Sequence, residues 1–235
     1  MILSGKAILI TGASRGIGAA VAKRLSRAGA DVALCGRDKT ALEATKRDCE
    51  GEGARVALLP GDIRDVAYAA GLAENAFGAL GRLDAVVNSA GVFVTGPAQD
   101  ADLAEWDQAL DVNFRAWMHL TRRALPILMR QPESAVVNLC SIAGRTTFPG
   151  GGIYTATKHA VHAWSNCLFD DVRDKGVKVC AIYPGYVNTD MAAHVPGDHD
   201  NMIQPDDVAQ TVEFALRLPA TSCPTEIVLR PQRPL

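Results

Sequence analysis

The amino-acid sequence predicts an α/β fold, a single domain over residues 1–235 with a doubly wound sheet of about seven parallel strands and helices on both faces. Three observations carry that reading. Short continuous apolar runs alternate with amphipathic stretches along almost the whole chain, as expected when a sheet is buried on both sides. The first run ends in a glycine-rich turn that opens directly into a helical pattern. A length of 235 residues suits one large α/β unit, and no internal repeat or low-complexity linker divides it.

Taken in order, the first strand covers Ala7–Thr11 and its helix Arg15–Ala28. A second pair follows at Asp31–Cys35 and Lys39–Glu52, and a third at Arg55–Leu59 and Val66–Leu80, each strand apolar and each helix amphipathic. The fourth strand, Leu83–Asn88, leads to one long helix over Leu103–Arg130. The fifth, Ala135–Cys140, is joined through a glycine-rich connection, Gly144–Gly152, to a helix over Tyr154–Lys175. Strand six is Val177–Tyr183, the last helix Pro205–Leu218 and the last strand Glu226–Arg230. The irregular stretch 185–204, rich in Gly, Asp, His and Asn, is a candidate substrate lid.

Composition narrows the function. Hydrophobic residues make up 48% and charged residues 21%, enough to bury a sizeable core. With a formal net charge of −2 and both signs interspersed, no basic field is available for nucleic acid or an anionic membrane. A small molecule is the expected partner. The six cysteines are scattered without zinc spacing, and Met1–Ile10 has no signal-peptide pattern, so a cytoplasmic chain with reduced thiols and no metal site is expected. His159 and His162 lie three apart on a helix but lack a third ligand, and Trp106, Trp117 and Trp164 read as packing residues.

The turn Thr11-Gly12-Ala13-Ser14-Arg15-Gly16-Ile17-Gly18 aims free backbone N–H groups and the positive end of a helix at an anion, which makes a Rossmann-type pyrophosphate site. Its glycine spacing differs from G-x-G-x-x-G, and no Gly-Lys-Ser/Thr follows to make a nucleotide triphosphatase loop. The end of the second strand, Leu34-Cys35-Gly36-Arg37, has no acid for the adenosine ribose hydroxyls of NAD. Arg37 and Arg15 instead suit a 2′-phosphate, which predicts NADP(H), although both also read as ordinary surface charges. Asp62 and the Ile63 amide are placed for the adenine, or Asp62 caps the next turn. Asn88, Ala90 and Gly91 end the fourth strand, where small residues let backbone approach a ribose.

Tyr154 and Lys158 lie four apart on one helix face. An adjacent ammonium is expected to lower the phenol pKa and make the pair a usable acid/base. Ser141, at the carboxyl end of the fifth strand, would donate to a carbonyl oxygen, or it serves as a helix cap. Asn113 sits in an otherwise apolar helical stretch and either positions a relay water or bonds neighbouring backbone. Phe93, Phe148, Tyr186, Met191 and His194 come from separate loops and the lid, and would form a mainly apolar substrate pocket or simply pack those loops.

With Thr11-Gly12-x-x-x-Gly16-x-Gly18, Asn88-x-Ala90-Gly91, Asn113, Ser141, Tyr154-x-x-x-Lys158 and Pro184-Gly185-x-x-x-Thr189 in hand, the chain resembles a short-chain dehydrogenase/reductase of the classical type over nearly its whole length. The resemblance implies a catalytic tetrad of Asn113, Ser141, Tyr154 and Lys158. It also implies that Lys158 binds the nicotinamide ribose, that Val187 and Thr189 in the Pro184–Thr189 segment hold the carboxamide, and that the chain is a homodimer or homotetramer. Two departures stand out. Ser89 replaces a second asparagine, and the Thr225–Pro231 end lacks the Asp-Gly-Gly tail of tetrameric members. The expected activity is NADP(H)-dependent exchange of hydride with a ketone, aldehyde or alcohol. A 3-oxoacyl reductase acting on an acyl carrier protein and a non-catalytic NADP(H) sensor are the alternatives.

Overall fold

A computed structural model describes residues 1–234. Seven parallel strands form one sheet in the order β3-β2-β1-β4-β5-β6-β7. They are β1 (Ala7–Thr11), β2 (Asp31–Gly36), β3 (Val56–Pro60), β4 (Ala85–Asn88), β5 (Ser134–Leu139), β6 (Val177–Pro184) and β7 (Glu226–Leu229). The order reverses between β1 and β4, and the crevice at the carboxyl ends of these two strands is where an open α/β sheet binds ligands.

Helices α1 (Gly16–Arg27), α2 (Lys39–Gly51), α3 (Val66–Leu80), α4 (Leu103–Leu110), α5 (Ala116–Leu128), α6 (Gly152–Val172) and α7 (Pro205–Arg217) complete the fold. Two buried clusters, one on each face, explain the apolar strands: Ile8, Ile10, Val32 and Leu34 point one way, Leu9, Ala33 and Val86 the other. Successive strand side chains face opposite ways, so both must be apolar when both faces are covered.

Strand and helix boundaries shift from the sequence expectation by at most three residues, except in one place. The single helix expected over Leu103–Arg130 is two helices, α4 and α5, separated by a π-helical turn at Asp111–Arg115. Backbone dihedrals stay helical through the break, so the apolar periodicity hides it. The cause is Asn113, whose fully buried side chain is committed to the loop after β4. The segment 185–204 carries two short 3-10 turns and one parallel bridge, Val187 to Ile203.

Among the described residues no helix is long and apolar enough to cross a membrane, and no three His, Cys, Asp or Glu side chains gather where a metal would be held.

Candidate active site

The glycine turn is shaped by close approach. Gly12 has φ +68°, and a Cβ there would lie 2.8 Å from the Ala90 Cα; a Cβ on Gly18 would overlap the Gly12 carbonyl oxygen. Thr11 fixes that approach from below, since its Oγ1 accepts from the Ser89 and Ala90 amides at 3.0 and 3.1 Å. From the other side Trp117 Nε1 donates to the Ala90 carbonyl at 3.1 Å. Trp117 therefore does more than the packing expected from sequence. The two ends of this contact are 27 residues apart, and no local pattern reveals it.

A cleft of about 1050 Å³ opens over this turn. Gly12, Ser14, Arg15, Gly16, Ile17 and Gly18 line one side, and Arg37, Asp62, Ile63, Ala90, Gly91 and Thr189 line others, so most of the expected cofactor residues share one surface. Thr189 Cγ2 would lie 3.4 Å from a Cβ on Gly16, which brings the segment after β6 over the glycine turn. The cleft fits a dinucleotide: its cradle exists only because side chains are absent at Gly12 and Gly18, and it abuts the amino end of α1.

Electrostatics discriminate among the charged residues at the mouth. Asp38 is occupied as the cap of α2, accepting from the Ala41 amide at 2.9 Å. Arg15 makes an exposed 3.4 Å contact with Asp190. Among the described residues Arg37 makes no ion pair.

Asp62 takes the capping alternative: its carboxylate accepts from the Arg64 amide at 2.9 Å and pairs with the Arg64 guanidinium at 2.6 Å, which hold it below the usual carboxylate range. Little of it is left for an adenine. The Asn88 side chain stays out of the cleft. It turns into the sheet, donating to Asn138 Oδ1 at 2.8 Å and Thr121 Oγ1 at 3.2 Å, because the register sets Asn88 beside Asn138. Asn138 in turn donates to Ser165 on α6 at 2.9 Å, so a buried polar row ties β4 and β5 to the helix bearing Tyr154. Pro184 ends β6, while Gly185 donates its amide to the Leu229 carbonyl and Val187 bridges to Ile203; none of these three lines the cleft.

At the inner end the cleft is bounded by Leu139, whose carbonyl accepts from Lys158 Nζ at 3.1 Å. Lys158 Nζ lies 5.0 Å from the Trp117 ring centroid and 5.7 Å from that of Tyr154, and burial lowers its pKa. Tyr154 is also buried. Its phenol is pushed up to about 12 by that burial, with a hydrogen bond to Ser141 opposing the rise. The lowering expected from Lys158 is not seen: burial is the largest cause of the shift, and Ser141 rather than the amine opposes it.

Ser141 takes the capping role, its Oγ accepting from the Ala143 amide at 3.1 Å, and it also reaches Tyr154. Asn113 bonds backbone rather than leaving its amide free. Its Oδ1 accepts from the Val92 amide at 2.8 Å, and its Nδ2 donates to the Val92 carbonyl at 3.0 Å and to Thr157 Oγ1 at 3.2 Å. Thr157, unremarked in the sequence, is the link between Asn113 and α6.

Three of the five expected pocket residues meet, centred on Phe93, which alone touches Tyr154. Phe93 packs edge-on against the Tyr154 ring at 4.8 Å and stacks with Phe148 at 6.4 Å and His194 at 5.6 Å. Tyr186 is exposed and outside this group, and Met191 lines the dinucleotide cleft instead.

Comparison with known proteins gives the family and agrees with the fold. The family described as short chain dehydrogenase matches residues 6–200. An uncharacterized oxidoreductase of Staphylococcus aureus (strain MW2) is 35% identical over 231 residues, covering 98% of this chain and 99% of the relative. A short chain dehydrogenase from Burkholderia cenocepacia J2315, solved in complex with NADP, has a TM-score of 0.90 and 31% identity, covering 98% of this chain and 97% of that one. A metagenomic short-chain oxidoreductase, also in complex with NADP, has a TM-score of 0.87 and 31% identity, covering 100% of both chains.

Proposed function

The chain belongs to the short-chain dehydrogenase family, and we propose that it is an NADP(H)-dependent oxidoreductase that exchanges hydride with a ketone or aldehyde, or with the alcohol in reverse. The observation that carries this reading is the approach of Ser141 and Lys158 to a buried Tyr154, with Lys158 bonded to the carbonyl of Leu139, which bounds the glycine-lined cleft. The glycine turn with Ser14 and Ile17 would hold the pyrophosphate, Arg15 and Arg37 the 2′-phosphate, and the Ala90–Gly91 backbone a ribose. Thr189 would reach the carboxamide. The bound nicotinamide supplies or accepts the hydride.

The protein's own residues manage the proton. A phenol at about 12 keeps its proton at neutral pH, yet it is far more acidic than the alcohol forming on the substrate. Transfer from Tyr154 Oη to the carbonyl oxygen is therefore downhill as charge develops there. Ser141 Oγ would donate to the same oxygen and hold it in line. Asn113 acts at one remove, clamping Val92 and hence the loop that carries Phe93. The lid role of the 185–204 segment belongs to the same proposal, since Thr189 and His194 approach the site from it.

Tyr154→Phe removes one hydroxyl from a buried ring and tests the reading directly. NADPH oxidation over a panel of carbonyl compounds is expected to fall by about 10²- to 10⁴-fold, while NADPH binding, read by fluorescence titration, stays unchanged. Cofactor binding by the wild type with no Tyr154-dependent turnover would sink the enzyme reading in favour of a sensor.

A further inference from the structure

We propose that the pocket above Tyr154 selects carbonyl compounds that carry an aryl ring within about two carbons of the carbonyl, an inference that rests on the hydride-transfer reading above. Three chain segments, following β4, β5 and β6, each contribute one ring. Phe148, Phe93 and His194 form a row with interplanar angles of 22° and 24° and centroid separations of 6.4 and 5.6 Å. Tyr154 meets the middle ring edge-on, at 81°, so the row stands beside the phenol. A substituent leaving the carbonyl carbon runs along flat aromatic faces.

The row is built into the backbone. The Gly96 amide donates to the Gly150 carbonyl at 2.8 Å and pins the loop bearing Phe93 to the loop bearing Phe148. Phe148 folds back over Gly151, where a Cβ would lie 2.5 Å from its Cζ. Phe148 is nonetheless 39% exposed and His194 is exposed, so part of each ring is open to a ligand. Aromatic faces of this kind pair favourably with another ring in offset or edge-on geometry, beyond simple area burial.

Charge points the same way. The segments 91–99, 146–157 and 191–197 contain no Asp, Glu, Lys or Arg. The nearby Arg145 is paired with Glu226 at 2.6 Å. The acidic surface of an acyl carrier finds no Lys or Arg along these segments, which disfavours a 3-oxoacyl carrier substrate.

The test compares 4-phenylbutan-2-one with 4-cyclohexylbutan-2-one, whose carbonyl electronics match while only one ring has a π-face. With the NADPH-loaded enzyme, kcat/KM is expected to favour the phenyl compound by about tenfold, equivalent to ~1.4 kcal/mol. Phe93→Leu and Phe148→Leu each bring the ratio close to one. Saturation-transfer NMR on NADP⁺-loaded Tyr154→Phe protein, which reads binding without turnover, is expected to show the same preference. Equal or reversed selectivity, or a preference that survives both leucine variants, overturns the proposal. So does turnover of acetaldehyde with neither ketone accepted. If neither ketone nor acetaldehyde shows Tyr154-dependent turnover, the enzyme reading fails, and the NMR preference alone decides the aryl selectivity.

Discussion

Replacing Arg37 with alanine is expected to weaken NADP⁺ binding by roughly 10- to 150-fold and to leave NAD⁺ within about threefold. A charge-assisted hydrogen bond to a phosphate is worth about 1.5–3 kcal/mol, and each 1.4 kcal/mol is a factor of ten. The full value applies because Arg37 makes no ion pair among the described residues, so binding need not break one. Competing acids at the same mouth are occupied: Asp38 caps α2 and Asp62 is paired with Arg64 at 2.6 Å. Neither is free to favour the ribose hydroxyls of NAD⁺. Arg15 differs, since its exposed 3.4 Å contact with Asp190 costs about 0–1 kcal/mol to give up; Arg15→Ala should therefore weaken NADP⁺ by less than Arg37→Ala does. Isothermal titration with both cofactors at fixed low salt measures the two ratios. An NADP⁺/NAD⁺ affinity ratio unchanged within twofold in the Arg37 variant would refute the reasoning.

Other consequences are as direct. Gly18→Ala places a Cβ against the Gly12 carbonyl oxygen and should abolish binding of either cofactor, as fluorescence titration would show; retained binding means that the turn yields. Asp84 is fully buried and accepts from Arg82, the Ala7 amide and Lys6, so Asp84→Ala should cost about 3 kcal/mol in urea unfolding at neutral pH. Burial alone would raise the Asp84 carboxyl, but those hydrogen bonds win and hold it low; its contribution is therefore present above the unfolded value of about 3.9 and lost as pH falls through the folded one. A difference between wild type and variant that grows on acidification would contradict this. Because burial holds the Tyr154 phenol at about 12, reduction should stay flat through neutral pH and decline only on the alkaline side, whereas alcohol oxidation should rise with pH. Reduction rates that climb as pH rises from about 6 to about 8 would oppose that assignment. Trp117→Phe strands the Ala90 carbonyl at a cost of about 1 kcal/mol, and should show as weaker cofactor binding with an intact fold by circular dichroism.

The sheet was legible because both of its faces are buried, which leaves continuous apolar runs such as Ile8-Leu9-Ile10 that no surface strand would tolerate. The glycine turn and the Tyr154/Lys158 pair were legible for a related reason, since each is a local pattern set by a short spacing. What escaped the sequence is what depends on distant partners. The Asn88 side chain is drawn into the sheet by its register with Asn138, 50 residues away in sequence. The π turn at Asp111–Arg115 preserves helical dihedrals, and only the buried amide of Asn113 betrays it. Thr11, Trp117 and Thr157 each act through a contact 27 or more residues away.

The sign of the Tyr154 shift shows most plainly why burial had to be known. In an exposed helix, an ammonium four residues away would favour a phenolate. Here both groups are desolvated, and desolvation opposes charge of either sign. Tyr154 is driven up and Lys158 down, so both shifts favour the uncharged form of the pair. The Lys158 amine is held not by an acid but by the Leu139 carbonyl and the Trp117 ring face, contacts that orient it without supplying countercharge. A site of this kind keeps a proton ready on Tyr154 while keeping full charges out, which suits reduction, where the charge appears only as hydride arrives. The Ser141 hydrogen bond is then the one neighbour acting to lower the phenol, and Ser141→Ala should raise the alkaline limit of reduction as well as slow it. A serine that merely capped the 3-10 turn through Ala143 would leave that limit where it is.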